Sequence, residues 1–279
     1  VDWEREVMVT SGATEALTAA ILGLVEPGDE VVLFAPSYDA YAPMLRRAGA
    51  VPRYVNLYPP DWSFDRADLA RVFSSRTKAV LLNNPLNPAA KVFTEAELEL
   101  LAEFVDGADA YVICDEVYEH LVFDGRRHIP FITLPGMRQR CLKIGSAGKT
   151  FSLTGWKVGY VTAGPDLLAA VAKAHQFIVF TTPPNLQAAV AYGLEKPDSY
   201  FHDLTAEMER RRGRLAEGLT RLGIAALPCQ GTYFLNVDSR TVRLGGEPPA
   251  DDVAFCTRLI AEVGVAAIPL SAFYADAPA

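Results

Sequence analysis

One alternation constrains this chain more than any other feature: short β-branched apolar runs are separated by stretches whose apolar residues fall three or four apart. The runs are VMVT (7–10), VVLF (31–34), AVLLNN (79–84), YVICD (111–115), LKIGS (142–146) and VGYVTAG (158–164). Between them, Thr14 to Val25, Tyr38 to Ala48, Thr94 to Val105 and Asp166 to Phe177 carry the helical spacing. Strand and helix in turn predict an α/β fold, with a mostly parallel sheet sandwiched by helices. From Asp198 the pattern changes. A long charged helix containing EMERRRGRLAEGL leads to the alternating strand TYFLNVD, a helix from Asp251 to Val263 and a last strand VAAIPL. That block reads as a smaller α+β domain, so the expected division is 1–197 and 198–279, with the Gly/Pro-rich RLGGEPPADD (243–252) as a surface loop.

Composition narrows the function. Half of the 279 residues are apolar, enough for one large core and a smaller one, which excludes general disorder. The net charge of −8 comes from 34 acidic and 26 basic side chains spread along the chain, with no basic block for nucleic acid. No apolar stretch nears the roughly 18 residues that span a bilayer, and VDWEREVMV lacks the order of a signal peptide. A cytoplasmic protein without membrane or nucleic-acid partners is expected. Cys114, Cys141, Cys229 and Cys256 show no metal-ligand or disulfide-framework spacing, and are expected to be core or surface thiols. The chain opens on Val1, on what reads as the end of a helix, so an upstream segment is expected.

In open α/β sheets, ligands sit beyond the carboxyl ends of the strands. Four such ends carry chemistry. TSGATEAL passes from a strand through Gly12 into a helix starting near Ala13 and Thr14, where free amides and the helix dipole favour a phosphate; Thr14 is equally an ordinary cap. In ICDEVY, Asp115 closes an apolar strand and Tyr118 follows. Such a carboxylate can hold a proton on a heteroaromatic nitrogen while the phenol bonds a ring hydroxyl; the rival readings are a turn cap or a Mg2+ ligand. SAGKTFSLTGWK holds two of only seven lysines. Lys149 suits an amine that attacks an aldehyde, and Ser146 and Lys157 suit a phosphate. A nucleotide P-loop fails on spacing, because Lys143 stands where its first glycine belongs. Finally, the Asn-Pro pairs of NNPLNPAAKVF offer Asn87 to a ring hydroxyl or substrate carboxylate, or merely make a turn, and PSYDAY offers Tyr38 as an aromatic plate or simple packing.

In this order, SGATEAL, PSYDAY, NNPLNP, ICDEVY and SAGKTFSLTGWKVGY resemble the fold-type I pyridoxal-phosphate (PLP) aminotransferases of classes I and II over nearly the whole chain. KTFSLTGWKVGY, GTYFLNVD and AAIPLSAFY are most similar to the kynurenine/glutamine transaminase K and methionine aminotransferase group. The resemblance implies a seven-stranded type of sheet and an amino transfer between an amino acid (aromatic, methionine or glutamine) and a 2-oxo acid. It implies that Lys149 carries PLP as a Schiff base and shuttles the α-proton, and that Asp115 pairs with the pyridine nitrogen. Tyr118 and Asn87 would bond the ring hydroxyl and Tyr38 would stack on the ring; Ser146, Lys157 and the Gly12, Ala13 and Thr14 turn would hold the phosphate. Asn87 and Tyr38 would also face substrate. A homodimer with shared active sites is implied, FIVFTTPPNLQ (177–187) resembling the stretch that reaches the neighbour.

Leu86 and Ala90 depart from the family's Asn and Gly, and a minor loop adjustment is expected. The family's N-terminal arm and its arginine for the substrate carboxylate have no counterpart, since no Arg or Lys follows Arg258; Arg240, Arg243 and Arg258 are conceivable substitutes. The small domain is therefore expected to be incomplete. Alternatives on the same resemblance are β-lyase chemistry and a PLP-binding effector domain. Tyr118, where many lyases carry His, favours amino transfer.

Overall fold

All six apolar runs become strands and a seventh joins them, in a computed structural model that describes residues 1–243, 246 and 249–275. The strands are β1 (Val7–Thr10), β2 (Glu30–Ala35), β3 (Val51–Asn56), β4 (Thr77–Asn83), β5 (Tyr111–Asp115), β6 (Cys141–Ser146) and β7 (Gly159–Ala163). They form one sheet in the order β1-β7-β6-β5-β4-β2-β3. β2, β3, β4, β5 and β6 run parallel, whereas β7 pairs antiparallel with both β6 and β1. β7 therefore begins at the edge where the others end, and that reversal brings Lys157, just before β7, beside the exits of β1 and β6.

The unbroken apolar runs follow from burial on both faces. Val31, Leu33, Ala79, Leu81, Ile113, Leu142 and Ile144 pack toward α1 (Gly12–Leu24) and α6 (Pro165–Ile178). Their sequence neighbours Val32, Phe34, Val80, Leu82, Val112 and Cys114 pack the other way, toward α3 (Arg66–Val72) and α4 (Glu95–Gly107). The period of two thus sorts one continuous run into two cores. Capping boxes start α3 and α4: Thr94 and Glu97 exchange side-chain bonds with each other's amides, as do Asp65 and Asp68. The other helices of this part of the chain are α2 (Tyr41–Arg47), the short α5 (Ala147–Thr150) and α7 (Pro184–Leu194).

The long charged helix is α8 (Asp198–Arg221), without a buried residue. Beyond it the expected strands largely fail. TYFLNVD contributes only β9 (Val237–Asp238), paired with β8 (Ala225–Ala226), and VAAIPL forms no strand, its Leu270 opening a 3-10 turn that runs to Phe273. In the first, Thr232 has φ 66, outside the β region, which breaks the run at its start. The helix from Asp251 is α9 (Asp252–Arg258), closing in a π-helical turn at Leu259–Val263. Residues 244, 245, 247 and 248 of the expected loop lie outside the described residues. All four cysteines are buried thiols. Among the described residues no helix is long and apolar enough to cross a membrane.

Candidate active site

The parallel strand exits and the start of β7 enclose a cleft of about 140 Å³, lined by all ten residues expected to meet the cofactor: Gly12, Ala13, Thr14, Tyr38, Asn87, Asp115, Tyr118, Ser146, Lys149 and Lys157. At one end is the start of α1. Ser11, its N-cap, makes no side-chain capping bond, and its amide instead donates to Glu15 Oε2 at 3.1 Å. Thr14 lies inside the first turn, so it is not the cap. Gly12 has φ +81. A Cβ on Gly159 would stand 2.6 Å from the Gly12 carbonyl carbon, so β7 presses directly against this turn. The Lys157 ammonium has no ion-pair or hydrogen-bond partner among the described residues, and Ser146, buried at the end of β6, faces the same end.

At the floor is Asp115, 5% exposed. Tyr41 Oη donates to its Oδ2 at 2.6 Å, and the Val117 amide approaches Oδ1 at a long 3.4 Å, so the turn-cap reading holds only weakly. Burial lifts the Asp115 carboxyl to about 6, against the lowering pull of Tyr41, the Val117 amide and Lys149. Burial likewise pushes the Tyr41 phenol well above its ordinary value. Glu116, next in sequence, turns to the opposite face and meets His128 Nε2 at 2.9 Å.

The Lys149 amine meets no carboxylate among the described residues; it donates to Tyr233 Oη at 3.0 Å. Tyr118 Oη donates to the same oxygen at 3.2 Å, and its phenol is pushed far upward by burial first and that bond second. Asn87 is held by its backbone, its amide donating to Asn83 Oδ1 at 2.7 Å, while Asn83 Nδ2 donates to the Asp115 carbonyl at 2.8 Å. Tyr38 stands edge-on to Tyr41, centroids 5.4 Å apart.

Sequence reasoning missed Tyr41, Asn83 and Tyr233. Tyr41 has a signal in hindsight, since it closes the same PSYDAY segment that offered Tyr38. Asn83 was quoted only as the end of a strand, and Tyr233 as part of one. Ala90 has φ 59 and is fully buried, so the alanine holds a left-handed backbone. None of the three candidate arginines lines the cleft. Arg240 pairs with Asp238 at 2.8 Å, Arg243 bonds the Arg240 and Val242 carbonyls, and Arg258 pairs with Glu262 at 2.9 Å.

Known proteins are similar to this chain in sequence and in fold. The probable N-succinyldiaminopimelate aminotransferase of Mycobacterium tuberculosis is 45% identical over 274 residues, 98% of this chain and 68% of the relative. The methionine aminotransferase of Escherichia coli is 41% identical over 275 residues, 99% and 70%, and human kynurenine–oxoglutarate transaminase 1 is 40% identical over 298 residues, 98% and 71%. The solved structure of the M. tuberculosis enzyme superposes with a TM-score of 0.93 at 45% identity, covering 99% of this chain and 71% of that one. The E. coli methionine aminotransferase gives 0.93 at 41% identity, with the same coverage. The sequence profile of aminotransferase class I and II matches residues 1–279, and this chain belongs to that family of PLP-dependent enzymes.

Proposed function

We propose that this aminotransferase holds PLP in the cleft at the strand exits, through the residues named above, and moves an amino group between a neutral-side-chain amino acid and a 2-oxo acid. The observation that carries the reading is the Lys149 amine, free of any carboxylate among the described residues and sharing a small cleft with a buried carboxyl and a helix start. The residues fit the cofactor. A phosphate suits the α1 turn, where Lys157 and Ser146 have charge and hydroxyl to offer and the backbone is open at Gly12. A ring nitrogen suits Asp115, and an aldehyde suits Lys149.

Bound there, PLP supplies an aldehyde carbon that exchanges amines and a protonated ring that draws electrons from the substrate's α-carbon. Asp115 keeps the proton on the ring nitrogen, a task that favours a carboxylate paired with a cation over one buried alone. Tyr41 fixes the orientation of that carboxylate by its 2.6 Å bond. Tyr118 and Asn87 address the ring hydroxyl, Asn87 being located by Asn83. Tyr38 covers the ring face. Lys149, once free, takes the α-proton and returns it.

The side-chain subsite supports an aromatic, methionine or glutamine donor. The cations lining the cleft, Lys149 and Lys157, both have other tasks, and Tyr38 and Tyr118 add aromatic surface to its walls. The division at 197/198 into a cofactor-holding domain and a smaller one, and a homodimer, belong to the same proposal. Supporting the dimer, Phe177 and Phe180 are 86% and 74% exposed in the segment 177–187.

The test is borohydride reduction of the PLP-loaded protein followed by peptide mapping. The adduct is expected on Lys149 alone, with none in Lys149→Ala and activity lower by about three decades or more. A reducible adduct at another defined lysine overturns the assignment.

A further inference from the structure

Tyr233 stands outside every role assigned so far, yet its oxygen takes hydrogen bonds from both Lys149 (3.0 Å) and Tyr118 (3.2 Å). Lys149 Nζ also lies 5.6 Å from the Tyr233 ring centre and 5.7 Å from that of Tyr118, the two rings meeting edge-on at 85°. The amine is thus caught between two phenols. A carboxylate at this position would hold Lys149 as an ammonium. A phenol accepts from an ammonium and, with its hydroxyl rotated, donates to a free amine, so it serves both protonation states.

The backbone around Tyr233 is fastened at a cost. Thr232, fully buried, has φ 66, a conformation that β-branched residues rarely adopt. Its amide donates to the Leu121 carbonyl at 2.9 Å, its hydroxyl accepts from the Phe234 amide at 3.1 Å, and Gly231 bridges to Val122. The strain is overcome by this clamp onto the segment that follows Tyr118, and the result is that Tyr233 points at the lysine. Left-handed backbone held in this way gathers where a side chain must be aimed. Because Tyr233 Oη accepts both bonds, its own proton is available to a third group at the mouth of the cleft.

We propose that Tyr233 is a positioning residue for Lys149: its hydroxyl holds the amine, whenever it is not bonded to carbon, against Tyr118 and at the reacting face of the cleft. This rests on Lys149 being the residue that takes the cofactor. The hydroxyl shortens the time the lysine needs to find its target and leaves the grip on the cofactor's phosphate and ring unchanged.

The test is Tyr233→Phe in the full polypeptide, which keeps the ring packed against Tyr118. The cofactor is removed, PLP is added back, and the covalent link to Lys149 is followed by stopped-flow absorbance across the neutral pH range. The expected result is a linking rate about ten-fold lower with a displaced pH profile, PLP affinity within about two-fold, and kcat lowered while KM holds. A linking rate within about two-fold of the parent overturns the proposal. So does a loss of PLP affinity in step with the rate, which marks a packing role only. Phe234→Leu disturbs the same packing without touching a hydroxyl; if it slows the link as much as Tyr233→Phe, the proposal also falls. Lys149→Ala run alongside separates the two readings, because a link formed without Lys149 overturns the site assignment itself.

Discussion

Strand β5 and helix α8 hold their shapes by opposite means. In β5 every residue from Val112 to Asp115 is buried, with Ile113 facing one core and Val112 and Cys114 the other. Helix α8 runs 24 residues with none buried, and is studded with ion pairs such as Glu207 with Arg210 and Arg211. The end of the cleft proposed to hold the cofactor stands on the first kind of structure. Tyr233, at its mouth, belongs to the second region. Rigid strands can hold a phosphate and a ring within fractions of an ångström, whereas a lightly buried segment can close on and release a substrate.

The largest test of that contrast falls on the rigid floor. Asp115→Asn should leave PLP bound yet lower the turnover rate by about two to three decades, since a ring without its proton draws electrons poorly; turnover at the parent rate would contradict it. The same variant has a signature in the cofactor-free protein. Burial raises the folded carboxyl to about 6, above its unfolded value near 4. Asp115 therefore favours folding fully below about pH 4, and that contribution is lost as pH rises through 6. Across this window the parent should lose about 3 kcal/mol relative to Asp115→Asn. Urea titrations at several pH values measure it, and parallel curves for the two proteins would refute the burial argument.

Next in size is a matched pair of truncations. Leu82→Ala opens a cavity at a side chain 1% exposed and should cost about 2–5 kcal/mol. Leu215→Ala on α8, where the side chain is 53% exposed, should stay within about 0.5 kcal/mol. Equal losses in urea would mean that α8 is covered in solution, and the contrast would then be one of assembly.

What the sequence made legible follows the same division. The buried strands were readable because two-sided burial writes itself as an unbroken apolar run, and the site was readable because polar residues interrupt those runs at their carboxyl ends. Strand β3 escaped notice because only Val55 of VPRYVN is buried and Pro52 interrupts it. Helix α3 has seven residues, too few to show a period. TYFLNVD alternates as a strand should, but the left-handed Thr232 and the lack of a long partner limit pairing to two residues, a tertiary fact with no local signal. Tyr233 was hidden for that reason.

A smaller effect is expected where the strands meet the α1 turn proposed to hold the phosphate. Gly159→Ala places a Cβ 2.8 Å from the Ala13 amide nitrogen, so the α1 turn must retreat, at about 1–3 kcal/mol. PLP should bind about ten-fold or more weakly while pyridoxal, which lacks the phosphate, binds nearly as before. Equal losses for both ligands would show that the turn is not where the phosphate rests.

A modest effect lies in the C-terminal region, at the pair that fastens α8 to the rest. Arg212 gives Nη1 to Asp124 Oδ2 at 2.6 Å and to the Cys229 carbonyl at 2.8 Å, and Nη2 to Asp124 Oδ1 at 2.8 Å. Its guanidinium also lies 5.2 Å from the Phe123 ring centre. One side chain thus ties α8 to both the segment after β5 and the stretch leading to Tyr233. The hydrogen bonds from Arg212 hold the Asp124 carboxyl below its ordinary value. A lowered carboxyl stabilises the fold above its unfolded value, near 4, and that stabilisation is lost as pH falls through the folded value. Asp124 is half exposed, so solvent screening limits the pair, and Arg212→Gln should cost only about 1 kcal/mol at neutral pH. The difference from the parent should shrink in strong salt and vanish in acid. Amide hydrogen exchange in residues 198–240 is the measurement that resolves it, because a loosened α8 exchanges faster while β4 and β5 do not change. Faster exchange in those strands would mean that the two regions unfold as one unit.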